Sequence, residues 1–127
     1  MSEILTDRQR QVLELYVTAA RTVRERAYAP YSLYKVGACL ESDTGKLYAG
    51  CNVENAAYPQ GQCAEAAAIA AMVAAGERKI RAILVVGAGD ELCTPCGGCR
   101  QKLAEFAKPA TPVHIYGPEG VRHRTTL

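Results

Sequence analysis

Residues 63–86 read CAEAAAIAAMVAAGERKIRAILVV, and the two ends of that stretch follow different periods. From Cys63 to Ala75 the residues are almost all alanine, interrupted by Ile69, Met72 and Val73, and Gly76 stands at a helix-ending position, so 63–75 is predicted to be a helix. It lacks a polar face. Such a helix is normally buried, and one so narrow lets neighbouring backbones approach closely, at the centre of a domain or against another subunit. Ile80–Val86 is then a short apolar run of strand length. A strand entered from a helix favours parallel pairing across the helix, which makes this an α/β chain.

Toward the amino terminus, Thr6 and Gln9 form a capping box, and Val12, Leu13, Tyr16, Val17, Ala20 and Val23 recur at helical spacing toward Ala27, with Pro30 ending the helix. Tyr34–Leu40 and Lys46–Val53 read as strands joined by a turn at Asp43, Thr44 and Gly45, which predicts an antiparallel hairpin. Toward the carboxyl terminus, Cys96–Phe106 can form a third helix. Pro112–Tyr116 and Val121–Thr125 are closing strands separated by Gly117, Pro118 and Gly120. The expected fold is α/β, a three-layer α-β-α arrangement with a mixed five-stranded sheet and helices on both faces.

The chain has 127 residues, enough for one domain spanning 1–127 with a core of its own. Its 15 Lys and Arg against 13 Asp and Glu leave a formal charge of +2, with no basic stripe of the kind a nucleic-acid binder carries. No signal-peptide pattern opens the chain, and the longest apolar run, Ala66–Ala75, is too short to span a bilayer. A soluble, cytoplasmic protein without nucleic-acid or membrane partners is the expectation. In a reducing compartment its six cysteines point to metal binding or buried thiols before disulfides.

Three of those cysteines carry the chemistry. Cys63 opens the alanine helix, and Cys96 and Cys99 lie in the run Pro95–Cys96–Gly97–Gly98–Cys99 at the start of the third helix. Three thiolates can hold Zn2+ in three tetrahedral positions and leave the fourth to water. Glu65, two residues after Cys63, is placed to take a proton from that water and return it to a leaving group, which is hydrolytic chemistry. Helix amino termini favour the thiolate form, and because zinc with three thiolates is net negative, a nearby cation is expected, Arg100 being one candidate. A closed structural site of Cys63, Cys93, Cys96 and Cys99 is the competing arrangement, and the iron–sulfur reading of Cys93, Cys96 and Cys99 lacks its fourth cysteine. Cys39 and Cys51 read as small buried hydrophobes, and His114 and His123 as core or surface residues.

Four segments together resemble the small homotetrameric cytidine deaminases: Tyr31–Ser32–Leu33–Tyr34–Lys35–Val36–Gly37–Ala38, Cys51–Asn52–Val53–Glu54–Asn55–Ala56, Cys63–Ala64–Glu65, and Pro95 through Gln101. The resemblance implies a cytidine deaminase-like fold, a homotetramer and a nucleoside substrate. It further implies that Asn52 and Glu54 bind the ribose 3′-hydroxyl, that Tyr34 lines the base and sugar pocket, that the Ala64 amide faces the pyrimidine carbonyl, and that Tyr58 reaches a neighbouring subunit's site. In the reaction so implied, Glu65 passes a proton from the zinc-activated water to N3, the water oxygen adds at C4, and ammonia departs to leave uridine. The position after the glutamate, an arginine in many members, is Ala66 here. A deaminase of a modified cytosine nucleoside, a zinc-stapled interaction domain and a polynucleotide editor are the other classes; the editor is disfavoured by the low net charge.

Overall fold

The computed structural model describes residues 7–87, 97–117 and 120–126. Thr6, the Gln9 side chain, Cys93, Pro95, Cys96 and Pro118 lie outside the described part, so the capping box and one expected metal ligand are not placed.

Helix α1 runs over Asp7–Arg24, and strands β1 (Gly37–Ser42) and β2 (Leu47–Cys51) form the hairpin. Helix α2 (Ala64–Ala74) leads into β3 (Ile80–Val86), α3 (Gly97–Ala104) follows, and β4 (Pro112–Gly117) and β5 (Gly120–Thr126) close the sheet. The strand order is β2-β1-β3-β4-β5, with β3 and β4 parallel and the other neighbours antiparallel. This is the mixed five-stranded sheet that the pattern of periods predicts.

The central strand explains why β3 reads as an unbroken apolar run. Ala82, Leu84 and Val86 pack under α1 with Leu13, Tyr16, Ala20 and Cys39. Ile83 and Val85 point the other way, into a cluster with Leu40, Ala68, Ile69 and Met72, Leu103 of α3, and Val113 and Ile115. A strand covered on both faces has no polar side to alternate with. Two glycines allow the helices to sit tightly. A Cβ on Gly37 would lie 2.1 Å from the Ala20 carbonyl oxygen, and one on Gly50 would lie 2.4 Å from the Ala68 nitrogen and 2.6 Å from the Ala64 oxygen. The first turns of α2 therefore rest directly on β2.

The structure departs from the sequence expectations in several places. The first strand begins at Gly37, not Tyr34, because the Asn52 side chain takes the backbone groups that a ladder would use: Val36 N–H donates to its Oδ1 at 2.9 Å, and its Nδ2 donates to the Tyr34 carbonyl at 2.9 Å. The second strand ends at Cys51, and Val53 instead bridges Tyr28 on one side and Gln62 on the other. Helix α2 is buried along Ala64, Glu65, Ala66, Ala68, Ile69 and Met72, while Ala70, Ala71, Val73 and Ala74 are exposed. Cys39 is fully buried, and its thiol is pushed up to about 12 by burial, as suits an inert hydrophobe. Cys51, expected to be buried, is half-buried.

Candidate active site

The carboxyl ends of β2 and β3 and the start of β1 meet at one edge of the sheet, since Gly37 pairs with both Cys51 and Val86. Ligand sites of open α/β sheets form at that kind of edge, and the segments leaving it here carry Asn52, Glu54, Cys63 and Glu65. The backbone ties them to one another. Val53 N–H donates to the Gln62 carbonyl at 2.8 Å and Gln62 N–H returns to Val53 at 2.7 Å, so Asn52–Glu54 runs beside the residue that precedes Cys63.

Cys63 is the N-cap of α2, with extended backbone angles (φ −76°, ψ 157°), and the first intrahelical bond is Ala67 N–H to its carbonyl at 3.1 Å. The amides of Ala64, Glu65 and Ala66 are thus among those with no carbonyl one turn back, and the positive end of the helix dipole favours an anion at this point. Cys99 is buried in the first turn of α3. Glu65 lies between the two helix starts. It is 5% exposed, one of few buried ionisable side chains, and it is hydrogen-bonded to the Cys99 thiol. Burial raises its carboxyl above the ordinary range, opposed by a hydrogen bond from its own backbone N–H, by the Cys99 thiol and by the charge of Lys102. A carboxyl shifted upward in this way is better suited than an ordinary one to taking and giving a proton.

The sequence resemblance implies zinc, and the donor set here suits that ion: two thiols at the amino ends of two packed helices, with a buried acid against one of them. Among the described residues no three His, Cys, Asp or Glu side chains converge tightly enough to form a metal cluster, and the third expected ligand, Cys96, lies outside them.

At the other end of the edge, Glu54 pins the loop from Tyr31 to Tyr34. Its Oε1 accepts from the backbone N–H of Tyr31 at 3.0 Å and of Ser32 at 3.1 Å, and its Oε2 accepts from the Ser32 hydroxyl at 2.5 Å. The Ser32 hydroxyl and amide, together with the Tyr31 amide, hold the carboxyl below the usual range. Leu33, within this loop, has φ 60°, a left-handed conformation that an L residue with a branched side chain adopts only under constraint. The loop-capping role of Asn52 and Glu54 is therefore what the structure displays, and it leaves capacity: Oε2 of Glu54 and the second N–H of Asn52 can each take one more partner. Tyr34 is half-buried, the Ala64 side chain is buried at the first turn of α2, and Tyr58 is 90% exposed at the start of a short 3-10 turn, Tyr58–Gln60.

Two participants escaped the sequence reading. Lys102 is the cation whose charge acts on Glu65; it is exposed, as is Arg100, which was singled out as a cation for the zinc thiolates. The spacing of three from Cys99 to Lys102 is a signal that could have found it. Ser32, the partner of Glu54, had no local signal.

A family model for the cytidine and deoxycytidylate deaminase zinc-binding region matches residues 10–115. A cytidine deaminase of Sporosarcina psychrophila is 39% identical over 115 residues, which cover 91% of this chain and 85% of that protein. One of Halalkalibacterium halodurans is 37% identical over 107 residues, covering 84% and 81%. Among solved structures, the cytidine deaminase from Burkholderia pseudomallei aligns with a TM-score of 0.82 at 44% identity, covering 89% of this chain and 91% of that one. That from Mycobacterium leprae aligns at 0.76 and 36%, covering 87% and 91%.

Proposed function

The chain belongs to the cytidine and deoxycytidylate deaminase family, and on that premise we propose that it hydrolyses cytidine to uridine and ammonia, and deoxycytidine to deoxyuridine, as a cytoplasmic enzyme of pyrimidine salvage. The observation that carries the reading is Glu65, a carboxyl buried at the head of α2 and bonded to a thiol from the head of α3. Cys63, Cys96 and Cys99 would hold Zn2+, and the metal, when bound, supplies an acidified water as nucleophile.

Glu65 would take one proton of that water and give it to N3 of the pyrimidine, where uridine keeps it, and after the water oxygen has added at C4 would pass the second proton of that oxygen to the amino group, which departs as ammonia, so that one carboxyl serves as base and acid in turn. Its burial keeps both states accessible, because a carboxyl far from bulk water is not held in the ionised form by hydration. The Ala64 amide, at the first turn of α2, is the donor assigned to the pyrimidine carbonyl. Asn52 and Glu54 receive the ribose 3′-hydroxyl through the donor and acceptor capacity left over from pinning the loop, and Tyr34 lines the same pocket.

The domain assignment is a single unit over 1–127, and the assembly proposed is a homotetramer without nucleic-acid or membrane partners. Exposed apolar residues support association: Leu33, at 82% exposure, Tyr31, Tyr58, and the outer side of α2 at Ala70, Ala71 and Val73. No described helix is long and apolar enough to cross a membrane.

The test is ultraviolet loss of cytidine on adding purified chain, paired with metal analysis, in wild type and Glu65→Gln. Turnover by wild type, with zinc retained and turnover lost in Glu65→Gln, is the expected result. Cytidine unchanged by zinc-loaded wild type would refute the proposal. Activity kept in Asn52→Ala and Glu54→Ala would move the substrate toward a modified cytosine nucleoside, and zinc held by Cys63, Cys93, Cys96 and Cys99 together would make the site structural.

A further inference from the structure

The Ser32 hydroxyl is engaged on two sides. It donates to Oε2 of Glu54 at 2.5 Å, and its oxygen accepts from the Tyr34 backbone N–H, two residues on, at 3.0 Å. A hydroxyl has one proton and two lone pairs, and here the proton is committed to a carboxylate, the strongest kind of acceptor in the neighbourhood. Its rotation is therefore fixed. The Tyr34 backbone is a firm post for it, because the Tyr34 carbonyl is held from the other side by Asn52 Nδ2 at 2.9 Å. Leu33, between the two serine bonds, has φ 60°, and the bond from Tyr34 back to Ser32 closes that turn.

The same bonds apportion the Glu54 carboxylate. Oε1 accepts from the backbone N–H groups of Tyr31 and Ser32, at 3.0 Å and 3.1 Å, which uses both of its lone pairs. The Ser32 hydroxyl takes one lone pair of Oε2, and the other is the acceptor position left for a ligand. Resting on the ribose-site reading above, we propose that Ser32 is a positioning residue for sugar recognition: its hydroxyl, fixed between Glu54 and the Tyr34 amide, orients the one acceptor position that Glu54 keeps for the ribose 3′-hydroxyl. The two bonds to Oε1 come from the backbone and do not need the serine side chain, so Ser32→Ala keeps the loop attached to Glu54. What goes is the orientation of Oε2, not the anchor. Ser32 is exposed, so its truncation opens no cavity.

The test is steady-state kinetics of the zinc-loaded full chain on cytidine and on 3′-deoxycytidine, in wild type, Ser32→Ala and Ser32→Thr. Ser32→Ala should raise KM for cytidine by about five- to twentyfold with kcat within about twofold of wild type. On 3′-deoxycytidine, which has no hydroxyl for Oε2 to receive, the same variant should raise KM by less than about twofold, so the two changes are coupled. Ser32→Thr keeps the hydroxyl and should return KM for cytidine to within about twofold of wild type. Calorimetric dissociation constants for uridine and 3′-deoxyuridine, the products, should move in the same pattern. A rise equal on both substrates would mean that the loop has merely loosened; that result, an unchanged KM for cytidine in Ser32→Ala, or no rescue by threonine would each overturn the role of Ser32 alone. Wild type that treats cytidine and 3′-deoxycytidine alike would instead overturn the ribose-site reading, and wild type that deaminates neither would overturn the functional reading, each taking this inference with it.

Discussion

Glu65 and Glu54 stand at the same edge of the sheet under opposite conditions. Glu65 is buried against a thiol, and desolvation raises its carboxyl; Glu54 is half-buried and holds three donors, which lower its own. On the proposed function, that difference divides their work. A carboxyl made hard to ionise can trade a proton during a reaction, while one fixed as an anion by hydrogen bonds can only accept and hold.

The largest effect that would sharpen this contrast is Glu65→Gln, which keeps the volume and removes the proton carrier. Turnover of cytidine should drop by about 10⁴-fold with zinc content unchanged. A drop of less than about tenfold would mean that Glu65 is not the proton carrier.

Gly50→Ala separates the two regions mechanically. Its Cβ would meet backbone atoms of Ala64 and Ala68 that cannot swing aside, so α2 must shift while the Glu54 loop is left in place. We expect a loss of about 1–3 kcal/mol in stability and about 10²-fold in kcat, with KM little changed. Measured KM and kcat falling into the reverse pattern would show that α2 does not position the reacting group.

Glu54→Ala should act on the other parameter. Removing the acceptor of Tyr31 and Ser32 and, on the proposed function, of the ribose hydroxyl should raise KM by about ten- to a hundredfold, with kcat lowered less.

The smallest effect lies in stability. Because the folded-state carboxyl of Glu54 is lowered from 4.5, the unfolded chain binds more protons in that window, and the contribution is present above about pH 4.5 and lost as pH falls through the folded value. Glu54→Gln should therefore lower the thermal midpoint at about pH 7, and the difference should shrink as the pH falls below about 4.5. In chelator-stripped protein at neutral pH, Glu65→Gln should shift the midpoint upward, because it removes a buried carboxylate. Shifts of the same sign in the two variants would erase the contrast between them.

Much of this architecture was legible in the chain. The change from the alanine run to Ile80–Val86 marked a helix and a doubly covered strand, and β3 has those bounds. Gly76 closes α2 with φ +91°, as its position after the alanine run suggested. The beginning of β1 was not legible, because apolar alternation from Tyr34 onward looks like a strand until the Asn52 side chain takes its backbone groups from sixteen and eighteen residues away. The exposed outer side of α2 was hidden for a related reason: composition shows that a helix is apolar all round, but only its neighbours determine which side they cover.

Element order and the candidate residues for chemistry were determined by the sequence itself, since helical and strand periods and the spacing of Cys63, Glu65 and Cys99 are local properties of the chain. Tertiary structure decided how deeply Glu65 is buried, which loop Glu54 holds, and that Lys102 and not Arg100 bears on the carboxyl. Desolvation and charge act through space, and the distances that govern them exist only after segments far apart in the chain have packed together.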